Sequence, residues 1–342
     1  MSPKDKQTQK SGQPLSSAKQ MKALLDIQGL QVDYMTPGGP VRAANGVSFA
    51  VKPGEVFGLA GESGCGKSTV AHAILRILRP PAVITGGRVY FEGDDVLDMT
   101  PEQLQAFRWQ GASMVFQSAL NALNPVLKVK DQIGDVIVKH KKVSRSAAYK
   151  RAGELLELVG IEHGRIESFP HELSGGMRQR VVIAMALALD PPLMIMDEPT
   201  TALDVVVAKD IMQRIEQLKE EMGFSILFIT HDLSLMVEFS DRIGIMYAGD
   251  IVELAPAKEL FNNPLHPYTQ GLLGSFPALT GEKKKITGIP GTPPNLLHPP
   301  TGCRFHPRCP KVISHCTQIV PPLQEVAPGH WVACHLYEGE EK

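Results

Sequence analysis

The glycine-rich segment at residues 61–68, which reads GESGCGKS, constrains the fold more than any other part of the chain. It matches the phosphate-loop pattern G-x-x-x-x-G-K-[ST]. An apolar run at residues 56–60 precedes it, and residues 68–78 follow with the apolar spacing of one helix face. A strand, a glycine-rich loop and a helix in this order predict an α/β fold in which backbone N–H groups and a helix N-terminus surround an anion.

The residue types in this loop indicate that the anion is a nucleoside triphosphate. Small residues let the main chain turn its N–H groups toward phosphate oxygens, Lys67 can reach the terminal phosphates, and the Ser68 hydroxyl can ligate Mg²⁺. We expect Cys65 to be a small filler at an unrestricted position; the alternative is a redox-sensitive thiol. The expected nucleotide contacts are Gly61, Glu62, Ser63, Gly64, Cys65, Gly66, Lys67, Ser68 and Thr69.

Two further apolar runs end in side chains suited to metal and water chemistry. Residues 193–196 are followed by Asp197 and Glu198, and residues 225–230 are followed by His231. Asp197 is placed to hold Mg²⁺, as the acid after the neighbouring strand does in phosphate-loop proteins. Glu198 could polarise a water for attack on a phosphate, and His231 could contact the γ-phosphate.

The chain divides into four zones. Residues 1–22 are polar and lack the apolar region of a secretory signal, so we expect a disordered leader. Residues 23–255 alternate strand-like and helical patterns, which predicts an α/β domain with a mainly parallel sheet. Residues 256–300 are rich in proline and predict a linker or an extended arm. Residues 301–342 form a C-terminal extension with a cysteine cluster.

Within the second zone, two local patterns refine the prediction. Residues 101–170 contain no strand-like run, so we expect a helical subdomain at about residues 101–180. Residues 242–253 alternate around Ala248, Gly249 and Asp250, which predicts a hairpin.

Composition narrows the classes of partner and location. The chain has 35 Lys and Arg residues against 36 Asp and Glu residues, a formal net charge of −1. It therefore has no overall positive charge with which to bind nucleic acid. No stretch reaches the roughly 18 consecutive apolar residues of a membrane-spanning helix, and we expect a cytosolic chain without disulfides.

Four of the five cysteines, Cys303, Cys309, Cys316 and Cys334, lie in the last 40 residues and are separated by 5, 6 and 17 residues. Structural zinc sites favour cysteines two to four residues apart, whereas a [4Fe–4S] cluster is held by four thiolates. We predict an iron–sulfur cluster with a structural role. A zinc site that includes neighbouring histidines, or unligated buried thiols, are the alternatives.

The motifs together resemble those of the nucleotide-binding subunits of ATP-binding cassette (ABC) transporters. Their order along the chain matches that family: the phosphate loop, Gln117 in VFQ, LSGGMRQR at residues 173–180, Asp197-Glu198, TALD at residues 201–204, and His231. The resemblance implies a RecA-like core with an antiparallel β-subdomain and a helical subdomain. It also implies that Tyr34 stacks on adenine and that Gln117 contacts Mg²⁺ and acts in catalysis together with Glu198 and His231.

The same resemblance implies a dimer. In this family Ser174, Gly175, Gly176 and Asp204 would contact the ATP held by a second ATPase subunit, identical or homologous, so that two ATP molecules lie at the interface. Met177 stands where the family usually has Gln. Leu120, Leu123 and Pro125 are candidates for a groove that receives a membrane subunit, with ordinary packing as the alternative.

The C-terminal segments at residues 263–269, 288–291 and 302–310 narrow the resemblance to the oligopeptide/dipeptide importer branch, which includes nickel and glutathione importers. The branch implies a peripheral ATPase on the cytoplasmic face of the inner membrane, two membrane permease subunits and an extracytoplasmic solute-binding protein. An iron–sulfur cluster is also implied by similar subunits. Peptides are the predicted cargo; nickel, glutathione or oligosaccharides are alternatives. A soluble non-transport ABC ATPase and a regulatory subunit that binds ATP without hydrolysing it are two further alternatives.

Overall fold

The computed structural model of the protein describes residues 23–117, 122–201, 203–275 and 288–338. The β-strands of these residues are β1 (Leu25–Thr36), β2 (Gly39–Val51), β3 (Val56–Ala60), β4 (Ala82–Phe91), β5 (Asp94–Asp95), β6 (Ala112–Val115), β7 (Leu193–Asp197), β8 (Ser225–Ile229), β9 (Arg242–Tyr247), β10 (Asp250–Pro256), β11 (Gln324–Ala327) and β12 (His330–Val332). The α-helices are α1 (Lys67–Ile74), α2 (Pro101–Ala106), α3 (Val129–Lys141), α4 (Arg145–Leu158), α5 (Gly175–Ala186), α6 (Val205–Met222), α7 (Leu233–Phe239), α8 (Ala257–Asn262) and α9 (Pro267–Gly274).

The larger of two sheets carries the strands that the motifs follow. Its eight strands lie in the order β11-β12-β10-β9-β3-β8-β7-β6. The five strands from β9 to β6 are parallel, and the pairs β9–β10, β10–β12 and β12–β11 are antiparallel. Every residue of β3, β7 and β8 is buried, as expected for parallel strands covered on both faces. The predicted parallel core and the predicted β9–β10 hairpin are confirmed.

The smaller sheet is antiparallel, with four strands in the order β2-β1-β4-β5. Its apolar face packs on one side of the larger sheet and on α1, in a core that includes Val32, Phe49, Phe57 and Val70. The rings of Phe49 and Phe57 stack with centroids 4.6 Å apart, which joins the smaller sheet to β3, the strand that leads into the phosphate loop. The smaller sheet thereby brings β1 alongside α1.

The helices α3, α4 and α5 pack against one another on the other side of the larger sheet. The prediction that residues 101–170 contain no strand was wrong, because β6 pairs in parallel with β7. This strand has only four residues, ASMV, whose small and polar members give no apolar run. Leu123 is buried in the core of this region and Pro125 is exposed, so ordinary packing accounts for Leu123.

The C-terminal zone contributes to the larger sheet. β12 pairs with β10 through Glu253 and Val332, and β11 adds the next strand. Glu253 is fully buried and accepts hydrogen bonds from His330 Nε2 at 2.8 Å and from the Leu265 and His266 N–H groups at 2.7 and 2.9 Å. The sequence pattern did not indicate this pairing, since β11 and β12 are short and follow a proline-rich stretch.

Within the described residues, no helix combines the length and the apolar character needed to cross a membrane. The predicted leader, Leu120 of the candidate groove and Ala202 of the TALD motif lie outside the described residues.

Candidate nucleotide-binding and hydrolysis site

The phosphate loop joins β3 to α1, and its glycines adopt backbone angles that other residues rarely reach. Gly61, Gly64 and Gly66 have φ values of 148°, 78° and 110°. A Cβ on Gly66 would lie 2.0 Å from the carbonyl oxygen of Ala43. Only glycine therefore fits at Gly66, where the loop passes closely under β2 and enters the helix.

The start of α1 provides a positive environment without a side-chain cap. Its N-cap residue is Gly66, which has no side chain to accept a hydrogen bond from the first-turn N–H groups. The Lys67 side chain is buried, and its ammonium donates to the carbonyl oxygens of Gly61 at 2.8 Å and Glu62 at 3.0 Å. The N–H groups of the first turn, the helix dipole and a buried ammonium together form an anion site.

Tyr34 lies at the edge of this anion site. It is half-buried on β1, and its hydroxyl is 3.2 Å from Oγ1 of Thr69 in the first turn of α1. This hydrogen bond holds the tyrosine ring beside the helix that the phosphate loop enters.

Asp197 ends β7 as a buried carboxylate with one oxygen unsatisfied. Its Oδ1 has no hydrogen-bond partner within the part of the chain that the structure describes. Burial raises the pKa of Asp197, and this is opposed by a hydrogen bond from Ser68 and by the charges of His72 and Lys67. A buried carboxylate oxygen without a partner, next to a serine hydroxyl, fits a divalent cation such as Mg²⁺.

Three side chains from separate segments converge on one oxygen of Glu198. Gln117 Nε2 donates to Glu198 Oε2 at 2.9 Å, and Thr201 Oγ1 donates to the same oxygen at 3.0 Å. His231 Nδ1 lies 3.4 Å from it. The three residues that the sequence nominated for catalysis, Gln117, Glu198 and His231, are therefore brought together.

The main chain at Glu198 explains how the carboxylate is aimed. Glu198 has a φ of 48°, in the left-handed region that is costly for a residue with a side chain. Its N–H donates to the Ile229 carbonyl at 2.8 Å, which ties the ends of β7 and β8 together. The strained residue is thus fixed between the segment that carries Asp197 and the segment that leads to His231.

Sequence reasoning missed Thr201 as a partner of Glu198. The residue opens the TALD motif three positions after Glu198, and its hydroxyl closes the turn between them. The motif had been noted, but its threonine had been given no role.

The residues expected to reach a second nucleotide lie away from the phosphate loop. Ser174 caps α5 and Asp204 caps α6, and both are exposed. A Cβ on Gly176 would lie 2.8 Å from Val207 Cγ1, so this glycine lets α5 approach α6 closely, while Gly175 is less restricted. Among the hydrogen bonds of the described residues, none joins these four residues to residues 61–69.

The side chain of Glu62 in the phosphate loop is held by a residue that the sequence did not nominate. Arg308 donates to both Glu62 carboxylate oxygens, at 2.7 and 3.0 Å. The Glu62 N–H donates to the hydroxyl of Tyr268 at 2.9 Å. Nothing in the local sequence around Arg308 signals a partner 246 positions away.

The four C-terminal cysteines are free thiols that lie close enough to affect one another. The pKa of Cys303 is raised to about 12, chiefly by burial and also by the neighbouring Cys316, Cys334 and Cys309. Within residues 288–338 and the rest of the described chain, no group of three or more His, Cys, Asp or Glu side chains is arranged to hold a metal ion. The predicted iron–sulfur cluster and its zinc alternative are therefore not supported.

Cys65 is also a buried thiol. Burial raises its pKa, and the proximity of Lys67 only partly offsets this effect. A raised pKa disfavours the reactive thiolate and agrees with the role of a small filler.

Two parts of the chain match families of known proteins. Residues 44–201 match the family described as ABC transporter. Residues 252–316 match the family described as oligopeptide/dipeptide transporter, C-terminal region. The second match begins in β10 and ends at Cys316, so it includes both Tyr268 and Arg308.

Individual relatives are similar over nearly the whole chain. The chain is 42% identical over 321 residues to the dipeptide transport ATP-binding protein DppD of Bacillus subtilis, covering 93% of this chain and 96% of that protein. It is 45% identical over 317 residues to the oligopeptide transport ATP-binding protein OppD of the same organism, covering 92% and 88% respectively. A solved dimeric ATP-binding cassette in a post-hydrolysis state, bound to ADP and Pi, has a TM-score of 0.61 and 31% identity, covering 68% of this chain and 98% of that one.

Proposed function

Because the chain belongs to the ABC transporter family of ATP-binding proteins and carries the C-terminal region of its oligopeptide/dipeptide branch, we propose that it hydrolyses ATP to drive the import of peptides. The cargo would pass through separate membrane subunits. ATP hydrolysis at the nucleotide site described above would supply the energy for transport.

One observation carries the proposal. Oε2 of Glu198 accepts hydrogen bonds from Gln117 and Thr201 and lies 3.4 Å from His231 Nδ1, in a chain whose phosphate loop has a buried lysine. A carboxylate fixed by several donors in one orientation is suited to act as a general base on a water. A regulatory subunit that only binds ATP would have no need for this arrangement. It therefore favours turnover over binding alone.

The residues of the chain divide the work of hydrolysis between them. N–H groups between residues 63 and 69 and the Lys67 ammonium would bind the β- and γ-phosphates, and Tyr34 would stack on adenine. Glu198 would accept a proton from a water as its oxygen attacks the γ-phosphorus. His231 and Gln117 would orient that water and the γ-phosphate.

The donor set also fits a magnesium ion. Ser68, Asp197 and Gln117 would hold Mg²⁺, and the unpartnered Oδ1 of Asp197 supports this assignment. When bound, the ion neutralises charge on the phosphate oxygens.

We propose that the site is completed by a second ATPase subunit. Ser174, Gly175 and Gly176 would present the N-terminus of α5 to the partner's ATP, and Asp204 would lie beside them. Val205 and Val206, next to Asp204, are 84% and 78% exposed. Two adjacent exposed valines at the start of a helix support an interface at this position.

The remaining partners follow from the proposed import activity. Two permease subunits and an extracytoplasmic solute-binding protein would complete the transporter, with this chain on the cytoplasmic face of the membrane. Affinity purification of the full chain from its host tests this assembly, because permease and solute-binding subunits should be recovered with it.

An uptake assay tests the activity itself. A strain without the gene should lose import of labelled di- or oligopeptides, and the wild-type gene should restore it. The Lys67→Ala variant should not restore import. Peptide import that persists without the gene would contradict the proposed cargo.

A further inference from the structure

Arg308 connects the C-terminal extension to the phosphate loop across 246 positions of sequence. Its guanidinium donates from Nη1 to Glu62 Oε2 at 2.7 Å and from Nη2 to Glu62 Oε1 at 3.0 Å. The Arg308 side chain is only 6% exposed. A bidentate ion pair of this kind fixes both the position and the orientation of a carboxylate.

The guanidinium is itself held rigidly. Its Nε donates to the Pro290 carbonyl at 2.8 Å, and its Nη1 also lies 3.3 Å from the Tyr247 hydroxyl. The centre of the guanidinium is 5.8 Å from the centroid of the Tyr247 ring, within range of a cation–π interaction. Arg308 therefore fixes Glu62 relative to β9 and to the proline-rich arm.

The proline-rich arm and the extension hold the same loop at two further points, one each. The Tyr268 hydroxyl accepts a hydrogen bond from the Glu62 N–H at 2.9 Å. Arg304 forms an ion pair with Asp250 at 3.2 Å, in the turn whose Gly249 N–H donates to the Cys65 carbonyl at 3.0 Å. The conformation of the phosphate loop thus depends on residues far outside the phosphate-loop motif.

Charge gives Arg308 a second role. Glu62 places a carboxylate within the loop that would receive a triphosphate, and an unpaired negative charge there would repel the ligand. Arg308 neutralises this carboxylate and keeps it turned toward the extension. Lys67, which donates to the Glu62 carbonyl, is then left to attract phosphate.

We propose that Arg308 is a positioning residue for nucleotide binding: it neutralises and orients Glu62, and so the C-terminal extension sets the affinity of the phosphate loop. This inference rests on the proposed function, since it assumes that the loop binds nucleotide. It adds a residue of the extension to the determinants of that binding.

Equilibrium titration of the full chain with Mg²⁺ and ADP, by calorimetry, tests the proposal without depending on hydrolysis. The Arg308→Met variant should bind ADP about tenfold more weakly than wild type. The double variant Arg308→Met/Glu62→Gln should recover affinity to within about threefold, because the uncompensated carboxylate is gone. Lys311→Ala, which removes an exposed cation three positions along the extension, is the matched control and should bind like wild type.

The double variant separates the proposed role from a merely structural one. If Arg308 only stabilised the extension, removing Glu62 as well would not restore binding. Wild-type affinity in a folded Arg308→Met chain, or a double variant that binds no better than Arg308→Met, would overturn the inference while leaving the proposed function intact. A wild-type chain that does not bind ADP would overturn both.

Thermal unfolding of each variant accompanies the titration. If Arg308→Met does not fold, Arg308→Lys takes its place, because lysine keeps the charge but cannot contact both carboxylate oxygens in parallel. Arg308→Lys should then bind ADP several-fold more weakly, and wild-type affinity in that variant would overturn the inference.

Discussion

Gln117 donates from Nε2 to Oε2 of Glu198 at 2.9 Å, although 81 positions separate the two residues. The contact exists because β6 and β7 are neighbouring parallel strands, so that Gln117, after the end of β6, and Glu198, after the end of β7, meet at one edge of the sheet. The ends of two neighbouring strands thus place the Glu198 carboxylate beside the Gln117 amide that orients it.

The Glu198→Gln variant should lose ATP hydrolysis by about 100-fold or more, because a glutamine cannot accept the proton of the attacking water. Its affinity for Mg²⁺-ATP should stay within about threefold of wild type. Phosphate release and equilibrium binding measure the two properties separately. Glu216→Gln, an exposed glutamate on α6, is the control. Unaltered hydrolysis in Glu198→Gln would remove the catalytic role of Glu198.

Replacing Lys67 with Ala should weaken ADP and ATP binding by about 10- to 150-fold, since hydrogen bonds to charged groups contribute about 1.5–3 kcal/mol. The buried ammonium also supports the loop through the Gly61 and Glu62 carbonyls, so a small loss of stability should accompany this. Lys150→Ala, an exposed lysine on α4, should change neither property. Nucleotide affinity that survives Lys67→Ala would place the binding site elsewhere.

Two glycines of the phosphate loop should respond differently to alanine. Gly64→Ala meets no atom within 4 Å, so its cost should be the left-handed backbone strain of about 1–2 kcal/mol. Gly66→Ala adds a steric clash with the Ala43 carbonyl. The free energy of unfolding of this variant should therefore fall by at least about 2 kcal/mol more than that of Gly64→Ala. Denaturant titrations of both variants check this difference, and equal losses would argue against the close approach of β2.

Glu253→Ala should lower the free energy of unfolding by about 3–5 kcal/mol, because His330 and two backbone N–H groups lose a buried partner. The exposed Glu221→Ala on α6 should cost less than about 0.5 kcal/mol. Urea unfolding of the two variants measures the contrast. A small effect at Glu253 would mean that β12 contributes little to the stability of the sheet.

His266 should make the protein less stable in mild acid. Burial lowers the pKa of His266 to about 4, whereas in the unfolded chain it is near 6.5. The unfolded chain therefore binds a proton that the folded protein rejects. This contribution is fully present above about pH 6.5 and is lost as the pH falls toward 4, by about 3 kcal/mol in all.

Denaturant unfolding of wild type and His266→Asn between pH 4.5 and 7.5 tests this pH dependence. Asparagine keeps an acceptor at the N-cap of α9, where His266 Nδ1 accepts from the Tyr268 N–H, but it does not titrate. The decline in stability with acid should therefore be shallower in His266→Asn. Parallel curves for the two proteins would assign the decline to other groups.

The parts of the site that are local in sequence were predictable. The phosphate loop, Asp197, Glu198 and His231 each follow an apolar strand directly, so a run of residues and its end sufficed to nominate them. The fold of an ABC nucleotide-binding domain, confirmed by the family and by solved cassettes, follows from the order of these runs.

What could not be predicted depends on contacts between distant segments. β6 is too short to give a pattern, and the ion pair of Arg308 with Glu62 has no local signal. Cysteine spacing suggested a metal cluster, but spacing does not determine which way four side chains point. Thr201 belonged to a noted motif, yet its partner became evident only from the turn that follows Glu198.

The pairing of β12 with β10 limits how far the chain can be shortened. A fragment that stops near residue 256 would leave β10 as an open sheet edge. It would also remove His330, which donates a hydrogen bond to the buried Glu253 carboxylate. It would also free Glu62 from its arginine. Such a fragment should therefore aggregate through the open edge of β10 and bind nucleotide weakly, even though it would contain every motif of the cassette.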